Sequence, residues 1–264
     1  MDNTVSLQAA NRVLVAEDNA VNQMVMGGLL RMLDLEHDIV PDGVTALEKF
    51  EAEPPGTYGL VLMDLHMPLL DGFDTARMIR EREAAEGLER VPIVAVSASE
   101  ITTERARQSG MDGYLAKPVN RERLTGMIER VTSAKAAIQP ESAPTEAPTD
   151  GPGLRVEELV NIGGSTMARE ALDVFATHSG ELLIRLADAL ERGDASTAVE
   201  ASHSLKGSCL AIGADEMSRH AAGIEHNARK GDLTGLREAL TTLESDLQDV
   251  QAAIAELTMD VSGA

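Results

Sequence analysis

Three acids, a hydroxyl and an ammonium stand at the ends of short apolar runs in the N-terminal half of the chain. Glu17 and Asp18 follow RVLVA, Asp64 follows GLVLM, Ser97 follows PIVAV and Lys117 follows GYLA. Carboxylates drawn together repel one another and call for a cation. Hard oxygen donors suit Mg²⁺, which keeps several waters and bridges to phosphate oxygens. The metal and Lys117 would neutralise charge spreading over a transferring phosphoryl group while Asp64 supplies the attacking oxygen. These residue types in this order support phosphoryl transfer by positioning and electrostatics.

A second reactive stretch lies far along the chain: Ser202-His203-Ser204-Leu205-Lys206-Gly207-Ser208. A neutral imidazole is a competent nucleophile near physiological pH. At about 100° per residue, Ala198, Ala201, Leu205, Cys209 and Ile212 share one apolar sector, and His203 points away from its centre. That places His203 on an exposed face with Val199, Lys206, Gly207 and Leu210. Lys206, one turn on, can neutralise phosphoryl oxygens, and Gly207 leaves room for an incoming site. His37, His178, His220 and His226 have no such company and read as surface or packing residues.

Two kinds of element must hold these residues. Residues 12–132 alternate apolar runs with amphipathic segments, the βαβ pattern of a parallel sheet covered by helices. Strands are expected at Arg12–Ala16, Glu36–Val40, Gly59–Met63, Pro92–Val96 and Gly113–Leu115, and helices at 20–34, 43–53, 73–86, 100–109 and 120–133. In an open α/β sheet the ligand site lies at the carboxyl ends of the strands, where the first five residues fall. From Leu154 onward strand signals vanish. A short helix near 155–161 and longer ones at 165–192, 195–211, 214–230 and 233–258, with Gly193-Asp194, Gly213 and Gly231-Asp232 between them, argue for a four-helix bundle.

The division is therefore a sheet domain over 1–133, a linker over 134–153 and a helical domain over 154–264. The linker carries Pro140, Pro144, Pro148 and Pro152 among Ser, Thr, Ala and acids and reads as semi-extended and disordered. Roughly 20 residues reach about 60 Å at full extension, enough to allow contact between the domains without enforcing it.

The net charge is −21, spread over both domains: 13 basic against 22 acidic residues in 1–133 and 9 against 19 in 154–264. This disfavours nucleic acid and anionic membranes as partners. Cys209 is the sole cysteine, so no internal disulfide forms. With no signal peptide or spanning apolar run, the expected location is the cytoplasm.

Residues 12–132, through VLVAEDNAVNQ, LVLMDLHMPLLDGF, VPIVAVSAS and GYLAKPV, resemble the receiver domain of two-component response regulators, a flavodoxin-like fold. The likeness is to receivers attached to hybrid histidine kinases. It implies that Asp64 is the phosphoacceptor and that Glu17, Asp18 and Asp64 hold Mg²⁺, with the His66 backbone carbonyl as a further ligand. Ser97, where many members have Thr, and Lys117 would bind phosphoryl oxygens. Tyr114 takes the aromatic switch position, and the Lys117–Pro118 bond is expected to be cis. A haloacid-dehalogenase-type phosphatase also uses an aspartyl nucleophile, but needs a second acid where His66 stands. The His66 side chain either flanks the site or is an exposed residue without a role.

HSLKGS followed by AIGA resembles the signature of histidine-containing phosphotransfer (HPt) domains, over about 155–258. It implies that His203 is phosphorylated, that Lys206 assists and that Ser208 helps to orient the site. Together the resemblances imply a phosphorelay protein. A histidine kinase donates to Asp64, and His203 exchanges the phosphoryl group with a response-regulator receiver; the partner of the receiver domain is a kinase or an HPt domain. The alternatives are a phosphorylation-dependent binding switch and a phosphate sink. Autokinase activity is not expected, because no Gly-rich ATP lid or Asn-bearing nucleotide box is present.

The helix at 20–34 offers Val21, Val25, Leu29 and Met32 to the sheet and leaves Met26, Leu30 and Leu33 on another side. Such a helix is either covered more deeply or docks a partner.

Overall fold

A computed structural model describes residues 12–98, 103–132 and 154–260. The chain divides into two compact units, each taken by itself below. The proline-rich stretch 134–153 and the first residues of the helix expected from 100 lie outside the described residues.

The first unit is built on five parallel strands: β1 (Arg12–Ala16), β2 (His37–Val40), β3 (Tyr58–Asp64), β4 (Ile93–Ser97) and β5 (Gly113–Ala116). Their order is β2-β1-β3-β4-β5, the flavodoxin-like arrangement. Between and after them run α1 (Ala20–Met32), α2 (Gly43–Ala52), α3 (Gly72–Glu86), α4 (Thr103–Gln108) and α5 (Arg121–Thr132). The strands are near-continuous apolar runs because helices cover both faces of the sheet, and β3, β4 and β5 are buried almost throughout. Successive residues serve opposite faces: Leu14, Val61, Met63 and Ile93 join one core with Ala76 and Ile79 of α3. Asp42 starts α2 by accepting the Thr45 N–H at 2.8 Å, and Asp71 starts α3 by accepting that of Asp74 at 2.8 Å.

The second unit is helical: α6 (Val156–Arg192), α7 (Ala195–Ile212), α8 (Asp215–Arg229) and α9 (Leu236–Asp260). α7 packs on α6 and α8, and α9 closes the ring against the same two helices. The α6 run is two helices, broken at Gly164, whose φ of 77° and ψ of 174° lie where residues with a Cβ are strained. The short helix expected ahead of residue 165 is its first part. The core is mostly aliphatic around one aromatic ring, with Phe175, Leu186, Ala198, Leu205 and Leu243 fully enclosed. Among the described residues no helix is long and apolar enough to cross a membrane.

Val21, Val25 and Leu29, on the stripe of α1 expected to face the sheet, are buried.

Candidate functional site

Parallel pairing brings the strand ends level. Ala16 of β1 is in register with Met63 of β3, Asp64 with Val96 of β4, and Ser97 with Ala116 of β5. Residues one step past these pairs therefore gather at a single edge. Glu17, Asp18 and Asp64 present carboxylate oxygens all within 4.8 Å of one another. The Lys117 N–H donates to the Ser97 carbonyl at 2.8 Å, which seats the lysine beside β4.

The Lys117 side chain crosses the cluster, its Nζ 2.5 Å from Asp64 Oδ2 and 2.7 Å from Glu17 Oε2. The other Asp64 oxygen, Oδ1, accepts the His66 backbone N–H at 3.0 Å. The His66 side chain is exposed. Gly72 makes this loop possible: a Cβ there would sit 2.1 Å from the Asp64 carbonyl oxygen.

The charge balance at this edge is negative. Burial pushes the Glu17 carboxyl up to about 8, with Asp64 and Asp18 adding to the rise and Lys117 opposing it. Lys117 is also buried, which by itself would lower it, yet Asp64 and Glu17 hold its ammonium above the usual lysine range. Three carboxylate donors around one ammonium fit a small hard cation. Ser97 is fully buried at the end of β4, Tyr114 lies in β5 opposite Ala95, and the Lys117–Pro118 bond is cis.

The second site lies on α7, at His203. Its Nδ1 lies 2.6 Å from Oε1 of Glu225 on α8, and Lys206 Nζ donates to Oε2 of the same carboxylate at 2.7 Å. Arg229 Nη2 completes the group, 2.5 Å from Oε1. The helical wheel of α7 contains no acid at this position; the partner comes from the neighbouring helix. A carboxylate accepts only, so Nδ1 donates to Glu225 and the ring is held with Nε2 on its other side. Burial works to raise the Glu225 carboxyl, but the His203 hydrogen bond and charge, then those of Lys206, outweigh it and hold it down at about 2.

Glu225 was missed in the sequence because α8 is rich in charge. Its signal is positional: it falls among the buried Ala221, Ile224 and Ala228, an acid on an apolar face. Of the remaining histidines, His220 meets Asp246 of α9 at 2.6 Å and His37 donates to the Leu35 carbonyl at 2.9 Å, both packing contacts. Cys209 is buried, which pushes its thiol up and away from reactivity.

A doubly wound sheet with acids, a hydroxyl and an ammonium at its carboxyl edge, followed by a helical bundle with a carboxylate-held histidine, defines a receiver domain joined to a phosphotransfer domain. Family models agree: residues 13–129 belong to the response regulator receiver domain and residues 170–253 to the Hpt domain. The aerobic respiration control sensor protein ArcB of Escherichia coli is 30% identical over 218 residues, which are 80% of this chain and 27% of that protein. The peroxide stress-activated histidine kinase mak1 of Schizosaccharomyces pombe is 36% identical over 121 residues, 45% of this chain and 7% of that one. The match thus spans about a quarter of the length of the first relative and less than a tenth of the second. Among solved structures, the co-crystal of the Saccharomyces cerevisiae phosphotransfer protein Ypd1 and the receiver domain of its response regulator Ssk1 matches at 32% identity. It covers 48% of this chain and 92% of that one, with a TM-score of 0.44.

Proposed function

We propose that the chain is a phosphorelay intermediate with two acceptors. A histidine kinase presents a phosphohistidine to the receiver; its P–N bond breaks as a P–O bond forms to Asp64. Lys117 and the Ser97 hydroxyl take up the phosphoryl oxygens, while Glu17, Asp18, Asp64 and the His66 carbonyl hold Mg²⁺. When bound, Mg²⁺ supplies positive charge for the phosphoryl oxygens. At the bundle, His203 Nε2 exchanges the group with a receiver aspartate. Glu225 accepts from Nδ1 and so orients the ring with Nε2 as the atom that takes the phosphoryl group, and Lys206 meets the arriving charge.

The observation that carries this reading is that both acceptors are built on one chain, each with its own charge partners in bonding distance. Label from a phosphorylated kinase separates the two. Phosphoaspartate is lost in base and phosphohistidine in acid, so a His203→Gln chain should hold only base-labile label. An Asp64→Asn chain should take none from the kinase, yet gain acid-labile label from a phosphorylated receiver. Acid-labile label on His203→Gln, or none on either variant from any donor, overturns the relay.

A further inference from the structure

The structure assigns to Arg123 the task of positioning Lys117. Arg123 is the third residue of α5 and lies on the buried face with Leu124, Met127 and Ile128. Its Nη1 donates to the carbonyl of Ala116 at 2.9 Å and to that of Pro118 at 2.9 Å. These carbonyls stand on either side of Lys117 in the chain. One guanidinium nitrogen therefore clamps the backbone before and after the lysine, while β4 holds the lysine N–H through Ser97.

The clamp matters because of what hangs from it. A lysine side chain has four flexible methylenes, so the place of its ammonium depends on how firmly its backbone is held. Here that ammonium must reach Asp64 and Glu17 together, at 2.5 and 2.7 Å. Nε and Nη2 of Arg123 are buried without a hydrogen-bond partner. Their desolvation is a cost that an apolar residue on this face would avoid. What the guanidinium adds in return is the pair of bonds around Lys117.

The inference rests on the reading of Lys117 as the residue that meets the phosphoryl oxygens, and a double-mutant cycle separates the two. The full chain carries His203→Gln so that label from acetyl phosphate and Mg²⁺ rests on Asp64, and the initial rate of labelling is measured. Arg123→Met should slow labelling by about 10-fold, the scale of loss when a catalytic group is misplaced by a fraction of an ångström to an ångström. Arg123→Lys, which keeps a donor, should recover more than half of that loss on a logarithmic scale. In a Lys117→Met background, Arg123→Met should change the remaining rate by less than about twofold, because nothing is left to position. An equal loss with and without Lys117, or no loss with it, overturns the inference while leaving Lys117 in its role. A parent rate in Lys117→Met alone overturns the reading of Lys117, and the inference with it. Should Arg123→Met fail to fold, Arg123→Lys carries the same cycle, with about a threefold loss expected beside Lys117 and none without it.

Discussion

The two proposed acceptor sites are built with opposite charge balances. At the sheet edge three carboxylates surround one ammonium; in the bundle one carboxylate, Glu225, takes up contacts from His203, Lys206 and Arg229. The consequences appear in the acids themselves. Glu17 is pushed up to about 8, mainly by burial, whereas Glu225, despite its burial, is brought down to about 2 by its cationic partners. Burial first, and then the neighbouring Asp64 and Asp18, disfavour the ionised Glu17 carboxyl, so a cation at this edge would relieve the site. The bundle already holds its counter-charge. One site is arranged to borrow positive charge and the other to contain it.

The largest expected effect tests this contrast directly. Excess chelator should cut acetyl phosphate labelling of Asp64 by at least about 100-fold. Phosphoramidate labelling of His203, measured in an Asp64→Asn chain, should shift by less than about twofold under the same chelator, since the imidazole needs no ion to be nucleophilic. Equal sensitivity at both acceptors breaks the comparison.

A smaller effect follows from the way each site uses its lysine. Lys117→Met removes the sheet edge's own cation and should slow Asp64 labelling by about 100-fold, whereas Lys206→Met should slow His203 labelling by about 10-fold, because Arg229 stays beside the bundle site. Matching losses would mean that the extra cation in the bundle does not compensate.

The smallest effect is thermodynamic and depends on pH. Glu225 is depressed from 4.5 to about 2 in the folded chain. Its ionised form therefore contributes stability that is complete above the unfolded value, near 4.5, and is lost as pH falls through about 2. Glu225→Gln lacks this contribution. In urea unfolding the wild-type chain should exceed the variant by about 2 kcal/mol above pH 5.5, the scale of a hydrogen bond to a charged group. The gap should narrow steadily between pH 4.5 and 2. A gap that holds constant across that interval would show that Glu225 acts by shape alone.

How legible these sites were depends on how their residues are carried. Glu17, Asp18, Asp64, Ser97 and Lys117 each follow an apolar run, and a strand read from such a run locates its own end within a residue or so. The bundle was legible as helices, and His203 by its neighbours Lys206 and Gly207, all within four residues of it. Glu225 and Arg123 were not. Each acts on residues of another element, across 22 positions in the case of Glu225 and His203, and their identities as an acid and a base are common on any helix.

Sequence by itself determined the order of elements, the two candidate acceptors and the excess of acid at the sheet edge, because hydrophobic period and residue type are local properties. Tertiary structure decided which charges meet: that Lys117 spans Glu17 and Asp64, that Glu225 accepts from His203, and that Arg123 clamps the carbonyls around Lys117. Those contacts need distances of about 3 Å between atoms on separate elements. Only the packing of helix on helix and strand beside strand sets such distances.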